Sequence, residues 1–439
     1  MLKPEHVKID SLGPSHFRSP LKLSTVFGDG LVNYVPEQAR MPMAVEMLPG
    51  GPTGEGVLFE TAGPREKIFF DPPAVKAAVI TCGGLCPGLN NVIRSVFLEL
   101  HHRYGVREVL GIRYGYAGLD EDQKYPPVKI TTDLVGDIHN EGGTFLGSSR
   151  GPLDAAVGIE TLKKLGVNML FCIGGDGTQH GAYNLYREAQ KQKYTLAIVG
   201  IPKTIDNDIQ FVDRTFGYYS AVDEAKQVIA CAHVEATGAP NGIAIVKLMG
   251  RHAGFIAAAA TVASQDVNFV LVPEVPFALE GAGGLFELVK ERVLRRRHAV
   301  IVLAEGAGQD LLEGAEAKFD ASGNKLNEDI GPFMRKALSD YFKREQVPVN
   351  IKYIDPSYII RAIPANCEDA LLCDAFARNA VHAAMAGKTG MLVGCWYNVY
   401  IHIPIGTAIR VPKQMDTEGG LWRAALAATG QPVRIGAAC

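Results

Sequence analysis

The segment PKTIDND, residues 202–208, concentrates more potential chemistry than any other stretch of the sequence. It carries Lys203, Thr204, Asp206 and Asp208 in close succession. A carboxylate at this place could accept the proton of an attacking hydroxyl, and a lysine could neutralise charge on a transferred phosphoryl group. The alternative interpretation is an Asp/Asn-rich turn that caps a helix.

Two glycine-rich stretches, GGLCPGLNN (83–91) and GGDGT (174–178), lie between an apolar run and a helical pattern. Glycines let backbone N–H groups approach a phosphate, and the start of a helix adds a favourable dipole. Asp176 could hold Mg²⁺, which bridges phosphate oxygens and usually takes one or two carboxylates. Either stretch alone also fits a tight connection. Neither matches GxxxxGK[ST], so a Walker-type nucleotide site is not indicated.

Three further clusters follow apolar runs later in the chain. Arg251, in MGRHAG, has the guanidinium group that suits bidentate phosphate binding. Glu305, in LAEGAG, is either an acceptor for sugar hydroxyls or an ordinary loop acid. Tyr358 and Arg361 are three residues apart and would share one face of a helical turn.

The elements that must position these residues are short apolar runs that alternate with helical patterns. Strands are predicted at 75–81, 167–173, 195–200, 242–249, 268–273 and 298–306. Continuous Val/Ile/Ala runs indicate strands that are buried on both faces, hence parallel sheets. The residues GGDGTQ are predicted as a loop, with the helix beginning at His180. In doubly wound sheets ligands bind outside the carboxyl ends of strands, where all of these clusters fall.

A chain of 439 residues with 47% hydrophobic content is expected to form two or three domains. The predicted fold class is α/β, with two doubly wound, Rossmann-like lobes, mainly parallel sheets and an N-terminal arm or small subdomain. The predicted divisions are an arm (1–72), a nucleotide-binding lobe (73–220), a sugar-phosphate-binding lobe (221–400) and a tail that packs back on the body (401–439).

Composition excludes several classes of protein. A net charge of -3 gives no indication of nucleic-acid binding. The basic run KERVLRRRH (290–298) is interpreted as a solvated helix face, with an anion site as the alternative. The eight cysteines include no CxxC pair, which favours free thiols in a reducing compartment. No apolar run is long enough to cross a bilayer, so the expectation is a cytoplasmic protein without a membrane partner.

In this order the motifs resemble the phosphofructokinase family over residues 74–410. The resemblance rests on GGLCPGLNNVIR, GGTFLGSSRG, GGDGT, PKTIDND, MGRHAG, VPEVPF, AEG and PSYIIR. GGDGT alone is also similar to a motif of NAD kinases and diacylglycerol kinases, whereas PKTIDND followed by MGR is specific. The overall pattern looks like the plant and trypanosomatid ATP-dependent subgroup.

The resemblance implies that the chain phosphorylates the 1-hydroxyl of fructose 6-phosphate, with ATP as donor and Mg²⁺ as metal. It implies Asp206 as general base, with Arg251 and Lys203 stabilising the transferred group, and Asp176 as metal ligand. The implied nucleotide contacts are Gly84, Arg150, Gly151, Gly175, Asp176, Gly177 and Thr178. The implied sugar contacts are Thr204, Ile205, Asp206, Met249, Gly250, Arg251, Glu305, Tyr358, Ile359, Ile360 and Arg361.

The chain departs from the bacterial ATP enzymes of this family at several motif positions. Leu85 replaces the acid of their GGDAPG loop, and Tyr358 replaces a histidine. Gly242 stands where they place an arginine that reaches a neighbouring subunit's substrate, and Lys352 is the candidate for part of that charge. The resemblance therefore implies a homo-oligomer, dimer or tetramer, without transferring the bacterial tetramer itself.

Gly177 and Lys203 point to different phosphoryl donors. Pyrophosphate-dependent members of the family typically have an aspartate at the position of Gly177, where its side chain and charge exclude the α-phosphate of ATP. Lys203 is typical of those same enzymes. Steric exclusion is the harder constraint, so ATP is the predicted donor. The alternatives are a pyrophosphate-dependent phosphotransferase and a non-catalytic regulatory subunit.

Overall fold

The computed structural model describes residues 2–46, 56–121, 124–151, 153–312 and 328–436. The chain forms two compact units. Unit 1 comprises Met1–Thr204, Ile209–Gly217 and Ile363–Pro412, and unit 2 comprises Ile205–Asp208, Tyr218–Ala362 and Lys413–Cys439. Within the described ranges, no helix is long and apolar enough to cross a membrane.

Unit 1 is built on a nine-stranded sheet whose five central strands are parallel and whose outer strands are antiparallel. In spatial order the strands are Arg40–Pro42, Leu58–Thr61, Val399–Pro404, Met391–Trp396, Ala197–Pro202, Met169–Gly174, Lys76–Thr81, Glu108–Ile112 and Val128–Lys129. The strands Met169–Gly174 and Ala197–Pro202 are buried along their whole length, which explains their unbroken apolar sequences.

Helices cover the sheet of unit 1, and the N-terminal segment adds two small sheets. The α-helices are Leu89–Leu98, Ala155–Lys164, Asp176–Lys191, Cys367–Met385 and Ile405–Ala408, with a π-helix at Glu99–Tyr104 and 3₁₀ helices at Pro4–Val7, Pro72–Ala74, Gly115–Leu119 and Ile138–Asn140. The two small antiparallel sheets pair Asp10–Ser11 with Lys388–Thr389 and Phe17–Arg18 with Lys67–Ile68. The pairing with Lys388–Thr389 attaches the N-terminal segment to the rest of unit 1.

Unit 2 has a four-stranded, wholly parallel sheet. Its strands, in spatial order, are Phe269–Leu271, His298–Ala304, Gly242–Leu248 and Asn350–Ile354. Its helices are Tyr218–Thr237, Phe255–Ser264, Leu285–Arg296, Ile330–Arg344, Ile359–Ala362 and Gly420–Thr429, with a 3₁₀ helix at Gln309–Leu312. The basic run lies on Leu285–Arg296, which buries Val289 and Val293 and leaves its last arginines exposed.

The predicted α/β class with mainly parallel sheets is confirmed. Two local features differ from the sequence prediction. The helix predicted to begin at His180 begins at Asp176, so GGDGT contributes its last three residues to the first helical turn. Residues 363–412, predicted to be split between the second lobe and a tail, cluster with unit 1 because Met391–Trp396 pairs in parallel with Ala197–Pro202.

Candidate functional site

The candidate donor-binding residues of unit 1 lie at one edge of its sheet. The parallel strands Lys76–Thr81, Met169–Gly174 and Ala197–Pro202 are adjacent, with Thr81 opposite Ile173 and Gly174 opposite Pro202. Their carboxyl ends therefore coincide. The turns that follow them, around residues 83–88, 175–178 and 203–204, are side by side, as the positions of the motifs predicted.

Lys203 forms hydrogen bonds with residues of the first two of these turns. Its backbone N–H donates to the carbonyl of Gly174 at 3.1 Å. Its ammonium nitrogen donates to the carbonyl of Gly84 at 2.6 Å, and the residue is only 5% exposed. A buried ammonium needs such acceptors because desolvation penalises its charge. Lys203 thus connects the first glycine-rich turn to the second through these two hydrogen bonds.

The helix Asp176–Lys191 presents its first turn at this edge. Asp176 and Gly177 are exposed, and the Thr178 N–H donates to the carbonyl of Gly175 at 3.0 Å. A Cβ atom added to Gly177 would meet no atom within 4 Å, whereas one added to Gly174 would lie 2.0 Å from the Thr178 hydroxyl. Packing therefore explains the glycine at 174 but not the glycine at 177.

The segment that carries Arg150 and Gly151 follows the first glycine-rich turn. The Ser148 hydroxyl donates to the carbonyl of Gly83 at 2.6 Å, and the Gly83 N–H donates to the carbonyl of Ser149 at 3.1 Å. Arg150 is exposed, and a Cβ atom on Gly151 would meet nothing within 4 Å. The predicted nucleotide contact Gly84 and those at 150–151 are thus on neighbouring stretches of backbone.

Two residues beside the GGDGT turn were missed by sequence reasoning. The Tyr116 hydroxyl donates to the carbonyl of Thr178 at 2.6 Å, and burial raises the pKa of Tyr116 well above its usual value. His180 lies 3.4 Å from the Asp176 carboxylate, and its hydrogen bond to Asp176 raises the pKa of the imidazole. The i, i+4 spacing could have indicated His180. Tyr116 is distant in sequence and gave no signal.

Unit 2 gathers the predicted sugar-binding residues of the MGR, AEG and PSYIIR motifs at the carboxyl edge of its own sheet. The Glu305 N–H donates to the carbonyl of Leu248 at 2.9 Å, and the Gly306 N–H donates to the carbonyl of Gly250 at 3.1 Å. A Cβ atom on Gly306 would lie 2.0 Å from the carbonyl oxygen of Arg251. Glycine at 306 is therefore what allows the MGR and AEG segments to lie against each other.

The Glu305 carboxyl is held in a partly buried, cation-rich setting. Burial raises the pKa of Glu305, and the charges of Arg251, Lys247 and Arg361 only partly oppose that rise. Tyr358 is exposed, and the Arg361 guanidinium lies 4.8 Å from the centre of its ring, a cation–π contact. The predicted shared face of these two residues is therefore present.

The remaining predicted sugar contacts differ in their exposure. Ile359 is 53% exposed, whereas Ile360 is fully buried, so the side chain of Ile360 serves packing. Met249 is partly exposed and Gly250 is buried with φ +132°, a conformation that only glycine adopts readily. A direct side-chain contact at 360 is the one predicted role that this arrangement disfavours.

The chain passes from unit 1 to unit 2 within PKTIDND, between Thr204 and Ile205. The Thr204 carbonyl accepts the Thr215 hydroxyl at 2.6 Å, and the Asp208 carbonyl accepts the Lys413 N–H at 2.8 Å. Asn207 has φ +55°, which asparagine tolerates better than most residues. The segment thus forms a turn, and Asp206 lies partly exposed within it.

Replacing Glu305 with glutamine is expected to raise the melting temperature at neutral pH. A carboxyl whose folded-state pKa is above its usual 4.5 contributes stability below pH 4.5 that is lost as the pH rises through the folded-state pKa. Glutamine does not ionise, so E305Q does not lose this stability as the pH rises. Thermal denaturation at pH 7 and pH 4 checks this: the gain should be present at pH 7 and shrink at pH 4. A lower melting temperature for E305Q at pH 7 would contradict it.

Comparison with known proteins identifies the relatives of the chain. The family model described as Phosphofructokinase matches residues 76–384. The ATP-dependent 6-phosphofructokinase of Borreliella burgdorferi is 46% identical over 435 residues, covering 98% of this chain and 97% of that protein. The ATP-dependent 6-phosphofructokinase 7 of Arabidopsis thaliana is 43% identical, covering 96% of this chain and 86% of that protein.

The fold itself is also found among solved structures. The crystal structure of the pyrophosphate-dependent phosphofructokinase from Nitrosospira multiformis superposes with a TM-score of 0.67. The match covers 83% of this chain and 92% of that chain at 18% sequence identity. At this identity the likeness concerns the fold alone.

Proposed function

This chain belongs to the phosphofructokinase family, as its motifs indicated, and we propose that it transfers the γ-phosphoryl group of ATP to the 1-hydroxyl of fructose 6-phosphate. The products are fructose 1,6-bisphosphate and ADP, and the process served is glycolysis. The observation that carries the choice of donor is the open space at Gly177, in the first turn of a helix beside Asp176. The α-phosphate of ATP needs that space, and pyrophosphate does not.

The donor-side roles rest on the edge of the unit 1 sheet. The start of the helix Asp176–Lys191 favours an anion, because backbone N–H groups and the positive end of the helix dipole lie there. The proposed nucleotide contacts are Gly84, Arg150, Gly151, Gly175, Asp176, Gly177 and Thr178. Lys203 supports this set by holding the carbonyl of Gly84, and its ammonium adds positive charge near the phosphates.

Mg²⁺ fits the donor set of this edge. Asp176 offers an exposed carboxylate at the position where phosphates would approach the helix. No group of three or more His, Cys, Asp or Glu residues in the described part of the chain could hold a metal ion alone. That agrees with an ion held by one or two carboxylates together with phosphate oxygens. When bound, Mg²⁺ neutralises charge on the phosphate oxygens.

The acceptor-side roles follow the chemistry of the side chains. Asp206 accepts the proton of the 1-hydroxyl, and that oxygen attacks the γ-phosphorus in line. Arg251 stabilises the charge on the transferred group, Glu305 accepts sugar hydroxyls, and Tyr358 with Arg361 holds the 6-phosphate. The segments Thr204–Asp206 and Met249–Arg251 and the residues Ile359 and Ile360 complete the proposed sugar contacts, the last through its backbone.

Donor choice can be tested directly with the purified protein, fructose 6-phosphate and Mg²⁺. Product formation coupled to NADH oxidation is followed with ATP in one reaction and pyrophosphate in another. Turnover is expected with ATP and not with pyrophosphate. Turnover with pyrophosphate alone would contradict the proposal and would mean that Lys203 and its surroundings choose the donor. Absence of turnover with both donors would favour a non-catalytic regulatory subunit.

Two broader features belong to the proposal. The enzyme acts as a homo-oligomer, dimer or tetramer, as the family resemblance implies. It works in the cytoplasm, a reducing compartment that suits the free cysteines of the described part of the chain.

A further inference from the structure

A buried cation lies directly upstream of the MGR motif in unit 2. Lys247 is on the central strand Gly242–Leu248, two residues before Met249, and its side chain is only 11% exposed. Its ammonium nitrogen lies 2.8 Å from the Asp355 carboxylate and 3.0 Å from the Asp329 carboxylate. Burial alone would lower the pKa of Lys247, but the hydrogen bonds to Asp355 and Asp329 raise it, so the ammonium stays charged.

The two carboxylate oxygens of Asp355 contact different partners. One oxygen meets Lys247, and the other accepts the Ser357 N–H at 3.1 Å and the Ser357 hydroxyl at 2.5 Å. These two bonds shape the turn that leads into the helix Ile359–Ala362. One carboxylate therefore connects the strand that ends at the MGR motif with the turn that carries Tyr358.

The connection adds to backbone pairing that stops short of both motifs. The strands Gly242–Leu248 and Asn350–Ile354 pair in parallel, and the last paired residues are Val246 and Ile354. Beyond that point Gly242–Leu248 continues for two residues beside His298–Ala304, whereas the chain after Ile354 enters the turn that carries Tyr358. The Lys247–Asp355 ion pair joins the two segments one residue past the last paired residues. It connects these two segments where the pairing between their own strands has ended, and backbone hydrogen bonds from Glu305 and Gly306 hold the MGR turn from the other side.

We propose that the Lys247–Asp355 ion pair is a positioning element that sets the MGR segment and the Tyr358–Arg361 segment at the spacing fructose 6-phosphate requires. The inference rests on the proposed sugar contacts of these segments. Neither Lys247 nor Asp355 touches substrate in this role. Each acts through the turn that it holds, so the consequence of breaking the pair is a misplaced sugar phosphate, with the phosphoryl donor unaffected.

Asp329 provides a matched control. It also binds Lys247, and its carboxylate caps the helix Ile330–Arg344 by accepting the Gly331 N–H at 3.2 Å. It forms no part of the turn that carries Tyr358. Asparagine at 329 keeps the cap, and asparagine at 355 keeps an oxygen for the Ser357 N–H. D355N and D329N therefore each remove one ionic partner of Lys247, and only D355N loosens the sugar-phosphate segment.

The test compares steady-state kinetics of the wild type, D355N and D329N with both substrates, together with melting temperatures. We expect D355N to raise the KM for fructose 6-phosphate about tenfold, since small misplacements of bound groups cost large factors. Its KM for ATP should be unchanged, and D329N should alter either KM by less than about twofold. The conservative variant K247R should retain most of the affinity for fructose 6-phosphate.

R361A separates failure of this inference from failure of the proposed sugar site. If R361A raises the KM for fructose 6-phosphate and D355N does not, the positioning role is overturned while the sugar site stands. If R361A has no effect on that KM, the proposed sugar site itself is wrong. An equal rise in D355N and D329N, or an equal rise for both substrates, would show a general structural effect and would also overturn the inference.

Discussion

Replacing Asp206 with serine is expected to lower kcat by ~10²–10⁴-fold, the usual loss when a general base is removed. The KM values for both substrates should change little, because the carboxylate acts on the proton of the 1-hydroxyl in the transition state. The Asp206 backbone belongs to a turn that hydrogen bonds hold on both sides, through Thr204 and Asp208. Serine at 206 leaves those backbone bonds in place, so the fold should survive.

Asp208 is the matched control for this experiment. It lies two residues further along the same turn and is also partly exposed. D208S should retain far more turnover than D206S if the carboxylate at 206 is the base. Near-wild-type turnover of D206S, or equal losses of kcat in D206S and D208S, would contradict the assignment of Asp206 as the general base.

Replacing Gly177 with aspartate is expected to reduce kcat/KM for ATP by about 100-fold, because like charges brought together cost several kcal/mol. The new carboxylate would project into space that is open in the structure, where the α-phosphate of ATP is proposed to lie. The protein itself should not suffer. Aspartate in the first turn of a helix stabilises it by about 0.3–1 kcal/mol, because its charge complements the helix dipole.

A stable but inactive G177D would therefore separate donor recognition from folding. Alanine at 177 is the control, because it adds a methyl group without charge and tests steric exclusion alone. The measurements are kcat/KM with ATP, turnover with pyrophosphate and the melting temperature of each variant. Undiminished ATP use by G177D would refute the steric argument. A fall in melting temperature would show that Gly177 has a packing role that the open space does not reveal.

The sequence was sufficient to predict most of the strands and the sheet edges at which the candidate site residues lie. Runs such as MLFCIG are apolar without alternation because both faces of Met169–Gly174 are buried, so composition alone indicated parallel strands. Once the strands were assigned, the polar motifs at 174–178 and 202–208 had to follow their carboxyl ends. The class of the fold and the grouping of each unit's site residues were thereby predictable.

Helix boundaries and long-range pairing were less accessible. Gly177 was predicted to be a loop residue, because glycine has a low helix propensity, yet the helix begins at Asp176. Pairing of Met391–Trp396 with Ala197–Pro202 joins segments almost two hundred residues apart, and no local pattern records such a partner. That pairing returns residues 363–412 to unit 1, against the predicted division at 400.

By itself, the sequence determined which chemical groups are available and at which strand ends they stand, because motif identity and apolar patterning are local properties. Tertiary structure decided what those groups do to one another. It placed the Lys203 ammonium on the carbonyl of Gly84, left the space at Gly177 open, and used Asp355 to join Lys247 to the turn before Tyr358. Contacts of this kind depend on distances between segments far apart in the chain, and the spacing of residues along one segment does not contain them.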